Sequence, residues 1–386
     1  MHFSALPSTL ALLVASATAA AIAVAYSSPE DYNGHLPEYQ RLWDRQTSNN
    51  DKRFTFFPLK TPAAGPCDLE KGPDGALWGE GILDNIIFRI DPHTGVVEEY
   101  PIPFTTPASN QTIPGVPRVI AERGVFSCAI RRGADGNLYA ANGLRNQLVR
   151  INPTTREIEV FQPPGTGVAG NLQPFNDLYT SDDGMWYTQT TGNVFQKFDY
   201  KSEKFETFKV PTPFSLPLGI FVASDKKVYV AELLGNKILV LDRKKNKIEE
   251  YPLPEPLQFP AVIRAERKGF VYFSLVTGNG IGRINMKTHK IDIFHTNKLA
   301  GLGAEDTIDK YGGVYLSFFN VNALARLNTD TLKYSYIPFP RSIDLPAVDV
   351  PPYVDVAVNY GPGDAVWFTD VSGNRVGRYD ISGLYG

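Results

Sequence analysis

Cysteine is nearly absent from the 386 residues; Cys67 and Cys128 are the only two, so a single internal bridge is the most they can form. A surplus of positive charge is also missing. Lys and Arg number 38 against 41 Asp and Glu, a formal net charge of −3. The basic residues form no stripe that would track a phosphate backbone, which excludes a nucleic-acid-binding surface. Arg243-Lys244-Lys245 is the one short cationic run, and it reads as a solvated turn tip. Beyond residue 25 no apolar run is long enough to span a bilayer, which needs about 20 residues. Histidine is scarce, at five. Residues 10–25 are apolar and alanine-rich, with small-x-small steps at Ala17-Thr18-Ala19 and Ala23-Val24-Ala25. They predict a cleaved secretory signal over residues 1–25, although only the amino terminus and His2 supply positive charge ahead of it. Residues 26–52 are polar and predict a linker.

What the chain has in abundance is a repeat. Residues 66–103 contain four short apolar runs separated by Pro73-Asp74-Gly75, by Asn85 and by Asp91-Pro92-His93-Thr94-Gly95. Asp-Gly between apolar runs is a hairpin signal, because these residues tolerate positive φ. An aromatic anchor equivalent to Trp78 recurs at Tyr139, Trp186, Tyr229, Tyr272, Tyr315 and Trp367. At a fixed offset after every anchor stands Asn85, Asn146, Asn193, Asn236, Asn279, Asn322 or Asn374. A second offset carries Asp91, Asn152, Asp199, Asp242, Asn285, Asn328 or Asp380. Side chains of this type bond nearby backbone in turns and accept left-handed geometry, so both series are read as turn residues rather than as a site.

Four strands per unit at a period of 43 residues (229, 272, 315) predict an all-β fold. The expectation is a seven-bladed β-propeller of four-stranded antiparallel blades over residues 53–386. Insertions fall between units one and two and between units six and seven. The last unit ends one strand short, and Arg53-Phe54-Thr55-Phe56-Phe57-Pro58 resembles the missing outer strand. It should therefore pair near Arg378-Tyr379 and close the ring, removing two exposed sheet edges.

Secretion gives three further residues an expected meaning. Asn110-Gln111-Thr112, in the first insertion, is a glycosylation sequon at Asn110. Cys67 and Cys128 occupy equivalent places on the innermost strands of adjacent blades. In an oxidising compartment they are expected to form a disulfide, which requires Cα atoms about 6 Å apart. Two small buried thiols are the alternative.

Units one, four and five contain the words Gly72-Pro73-Asp74-Gly75-Ala76-Leu77-Trp78, Asn236-Lys237-Ile238, Ile281-Gly282-Arg283-Ile284 and Glu250-Tyr251-Pro252-Leu253-Pro254. In them the chain resembles the virginiamycin B lyase (streptogramin lyase) family and, more distantly, gluconolactonase-type lactonase propellers. The resemblance implies a propeller that opens an ester by elimination. It also implies a histidine general base after the inner-strand proline, a second histidine nearby, and acidic residues that help bind Mg²⁺. The corresponding positions here are Cys67, Cys128, Phe175, Leu218, Ala261, Ala304 and Tyr353, none of them histidine. His2, His35, His93, His289 and His295 fall in the leader, the linker and the outer parts of blades. A general base must reach the proton it removes, so the family's own reaction is not expected.

Carboxylates and amides remain near the predicted channel mouth. They are Asp68, Asn176-Asp177, Glu305-Asp306 and Asp355 on inner strands, with Glu80, Gln189, Glu232 and Asp370 at second-strand ends. Hard divalent cations take oxygen ligands, so Asp68, Asn176, Glu305 and Asp355 form the expected site for Mg²⁺ or Ca²⁺. Glu305, Asp355 and Tyr353 are the catalytic candidates; such residues also bond inner-strand backbone. Two functions stay open. One is a secreted monomeric lyase or hydrolase acting on an ester or lactone of a small natural product, with no nucleic-acid partner and no membrane after leader cleavage. The other is a non-catalytic propeller that binds a ligand or partner, since fold does not imply function. A surface role for loops 104–126 and 341–351 is a third possibility.

Overall fold

The structure is a computed structural model that describes residues 51–103, 123–165, 173–174, 176–298, 300–340, 343–344, 349–350 and 353–385. The leader, most of the linker, the Asn110 sequon and Phe175 lie outside the described residues. Among the described residues no helix is long and apolar enough to cross a membrane.

Seven four-stranded antiparallel sheets make the propeller, six of them running from the innermost to the outermost strand in chain order. The innermost strands are Pro66–Lys71, Ile130–Arg132, Leu178–Ser181, Pro217–Val222, Pro260–Arg267, Gly303–Ile308 and Val358–Gly361. Their neighbours explain the burial pattern. A second strand such as Leu77–Gly81 or Val228–Glu232 is covered on both faces by adjacent blades and is buried at every position. An outermost strand such as Phe205–Lys209 has one wet side and alternates between half-buried and exposed. All seven aromatic anchors are buried in these layers.

The seventh blade is completed from the other end of the chain. Phe54–Pro58 pairs antiparallel with Arg375–Asp380, with Thr55 opposite Arg378, as the sequence indicated. Phe57 stacks on Trp367 with ring centroids 5.2 Å apart. The connection between blades six and seven carries a small ribbon, Ile343–Asp344 against Asp349–Val350.

The two polar series behave as turn residues, and one does more. Asp91 Oδ1 accepts from the backbone N–H groups of His93 and Thr94, and Asn152 and Asn285 repeat this with their own neighbours. In the other series Asn146, Asn193, Asn236, Asn279 and Asn374 take φ between 48° and 55°. Asn236 donates from Nδ2 to the Glu255 carbonyl at 2.8 Å, and its Oδ1 accepts from Gln258 N–H at 2.8 Å. Asn374 ties Thr61 and Gly65 in the same way across the ring closure. Each such amide therefore staples its own blade to the segment leading into the next.

Asn236→Ala removes these bonds and leaves a β-carbon at positive φ, so it should destabilise by about 1–3 kcal/mol. Urea unfolding measures this, and a loss under about 0.5 kcal/mol would show that the staple contributes little.

Candidate functional site

Seven inner strands converge on one axis, and the residues they turn inward must satisfy each other there. Cys67 and Cys128 form a disulfide between the inner segments of blades one and two, with Cα atoms 5.2 Å apart. The bridge packs with Ile82, Leu83 and Val356.

On the axis lies an ion network contributed by five blades. Arg131 of blade two donates from Nη1 to Asp68 Oδ2 of blade one at 2.7 Å. From Nη2 it reaches Glu305 Oε1 of blade six at 2.8 Å. Arg264 of blade five holds both carboxylate oxygens of Asp177 in blade three, and its Nε lies 3.2 Å from the same Glu305 oxygen. These five side chains are all at most 8% exposed. Backbone completes the acids: Asp68 accepts from Leu69 and Ile130, and Asp177 from Leu178 and Ile220.

Burial is the dominant electrostatic influence here. It pushes the Glu305 carboxyl well above its ordinary value, and nearby Asp68 adds to this, against the pull of Arg131 and Arg264. Glu70, at the edge of the network, rises to about 7 for the same first reason, opposed by Arg131. Asp306 is also raised by burial.

The sequence candidates divide accordingly. Asp68 and Glu305 do come together, but on a guanidinium. Asn176 Oδ1 instead accepts from the Ser127 hydroxyl. Asp355 Oδ1 accepts from the backbone N–H and hydroxyl of Thr369 at 3.2 and 3.3 Å, and burial raises its pKa. Tyr353 is not a mouth residue. Its hydroxyl donates to the Pro340 carbonyl, and its ring packs among Phe56 and Phe339. Among the described residues no three of His, Cys, Asp and Glu converge as a metal ion would require. His93 and His289 sit in outer turns, and His295 bonds Gly278 and Glu255 at a blade edge. Sequence reasoning missed Arg131 and Arg264. Their signal was a cation embedded in otherwise apolar inner strands, Ile130-Arg131 and Ile263-Arg264-Ala265.

A separate apolar cluster joins blades four, five and six, where Leu216, Leu218, Phe259, Val262 and Phe319 pack against Leu233, Ala261 and Val276. The turns leading into blades four and five also carry Phe214, 80% exposed, and Leu257, 69% exposed.

A model of the virginiamycin B lyase family matches residues 117–383. The chain belongs to the virginiamycin B lyase family. No curated protein matches it. Among solved structures it is similar to virginiamycin B lyase from Staphylococcus aureus, at 19% identity over 84% of this chain and 98% of that one, with a TM-score of 0.67. A catalytically inactive histidine-to-alanine variant of that lyase with quinupristin matches at 18% identity, the same coverages and the same TM-score. A streptogramin B lyase matches at 19%, covering 84% and 96%, with a TM-score of 0.64. These identities speak for the shared propeller alone.

The Mg²⁺ that the virginiamycin B lyase resemblance implies does not fit the four residues expected to hold it. Two are engaged by arginine, and the other two are turned to Ser127 and Thr369.

At the second-strand end of blade four, Glu232 is wholly buried, with neither carboxylate oxygen in hydrogen-bonding geometry. Burial, then neighbouring Glu250, lifts it to about 8. An acid raised in the folded state favours folding fully below its unfolded value near 4.3, and that contribution is lost as pH rises through the folded value. Thermal stability should therefore fall between about pH 5 and pH 9. Blade three has Gln189 at the same place, so Glu232→Gln should recover about 1–3 kcal/mol at the alkaline end. Melting curves across pH that rise, or that are unchanged by the substitution, would contradict this.

Proposed function

We propose that this member of the family is a secreted, non-catalytic binding propeller that takes a small, largely apolar natural product of the cyclic ester or lactone class at its channel mouth. The observation carrying the reading is a choice the fold does not demand. In the turns leading into blades one, four, five and six, one position takes φ near 50°: Ala63, Phe214, Leu257 and Ala300. Two residues on, Gly65, Leu216 and Phe259 are also at positive φ. Blade one fills this turn with Ala and Gly, the economical residues for such geometry. Blades four and five use Phe and Leu, which are uncommon at positive φ. Phe214 and Leu257 are left in water. Large apolar side chains exposed in turns that lead directly to an apolar cluster suit a ligand-binding face.

Glu305, a catalytic candidate on the axis, is engaged by both arginines, so it does not stand as a free base toward a ligand. Among the described residues no histidine stands on an inner strand. The relative that matches with quinupristin is inactive after losing a histidine. The leader and the Cys67–Cys128 bridge support an oxidising, extracellular location.

Isothermal titration with quinupristin and a panel of aryl- and alkyl-bearing lactones tests this, together with mass analysis of recovered ligand. At least one compound should bind and return intact. Phe214→Ser with Leu257→Ser should weaken binding at least about tenfold without changing the melting temperature. Ring opening of the ligand would restore the lyase or hydrolase reading, and failure of the whole panel to bind would overturn the proposal.

A further inference from the structure

We propose that Arg131 and Arg264 hold the axial place that the family resemblance gives to a divalent cation, so that this propeller is closed from within by guanidinium and takes up no such ion there. Both oxygens of Asp68 are used, Oδ1 by Leu69 N–H at 2.7 Å and Oδ2 by Ile130 N–H and Arg131. Both oxygens of Asp177 are used as well, by Leu178 and Ile220 N–H and by the two terminal nitrogens of Arg264. The Oε1 of Glu305 is shared by both cations. A hard cation needs six or more oxygens drawn close. It would have to strip bonds from buried acids and enter beside two fixed positive charges in a medium of low dielectric.

Guanidinium also does what a spherical ion does less well: it joins acids on different blades through a planar fork. The Asp68–Arg131 pair links blades one and two, and the Asp177–Arg264 pair links blades three and five. Glu305 of blade six accepts from Arg131 and pairs in charge with Arg264. Blade four takes part only through Ile220 N–H. There Gly219 leaves room for the next inner strand, since a β-carbon would lie 2.3 Å from the Ala261 carbonyl oxygen. The arginines therefore serve as internal counter-ions that set five blades in register about the axis. This inference stands apart from ligand binding at the mouth, because it concerns what fills the axis beneath.

The test uses the full secreted chain. Elemental analysis of wild type should find no stoichiometric divalent metal, and melting should be the same in EDTA, millimolar Mg²⁺ or millimolar Ca²⁺. Arg131→Met leaves Asp68, Glu70 and Glu305 without their shared cation. It should melt about 10 °C lower in EDTA and recover at least half of that loss with Ca²⁺ or Mg²⁺. One equivalent of metal in the wild type, or a wild-type melting temperature that rises with either ion, would overturn the proposal. So would an Arg131→Met protein that folds yet gains nothing from either ion. The wild-type measurements decide the matter even where the variant does not fold.

Discussion

Charges brought to the axis of a propeller have nowhere to go. Seven inner strands surround a narrow, water-poor space, and a carboxylate turned into it must find a cation or keep its proton, because burying an unpaired charge costs far more than one fold can offset. In this chain Asp68 and Asp177 find Arg131 and Arg264, Glu305 lies against both guanidiniums with its own pKa raised, and Asp306 and Asp355 meet the same demand by having theirs raised. That balance ties inner strands of five blades to one another.

The same constraint separates this chain from what its family likeness suggests. A metal-dependent eliminase keeps acids free to bind a cation and a histidine free to take a proton. Here the acids on the axis are already neutralised, and the described histidines sit on outer turns and edges. Apolar side chains in the turns before blades four and five also lack a structural explanation. Phe214 and Leu257 occupy turn positions where the first blade manages with alanine, which points to contact with something apolar from outside.

Much of this architecture was legible in the sequence, because its determinants are local and repeated. The asparagine at one turn and the aspartate or asparagine at another mark hairpins by their own side-chain chemistry. The Phe54–Pro58 strand resembles its counterparts closely enough to locate the ring closure. Even the Cys67–Cys128 bridge followed from equivalent positions in neighbouring blades. The site was less legible, because its partners are set by radial geometry rather than by spacing. Asp68 and Arg131 are adjacent across two inner strands, but Arg131 and Glu305 meet only because blades two and six face the same axis. Tyr353 misled for a related reason. Its place after an inner-strand proline suggested the mouth, yet Phe56 from the closing strand and Phe339 from blade six enclose it, and the closing strand arrives from the far end of the chain.

The central claim is that the axial network is a single interacting unit rather than a set of independent pairs. A double-mutant cycle on Arg131→Met and Glu305→Gln, read by urea unfolding near neutral pH, tests it most directly. The account predicts a coupling energy of about 2 kcal/mol or more, since each single change strands a buried partner and the double change does not. Additivity within about 0.5 kcal/mol would mean that the two side chains do not depend on each other, and the closed, charge-balanced axis would have to be abandoned.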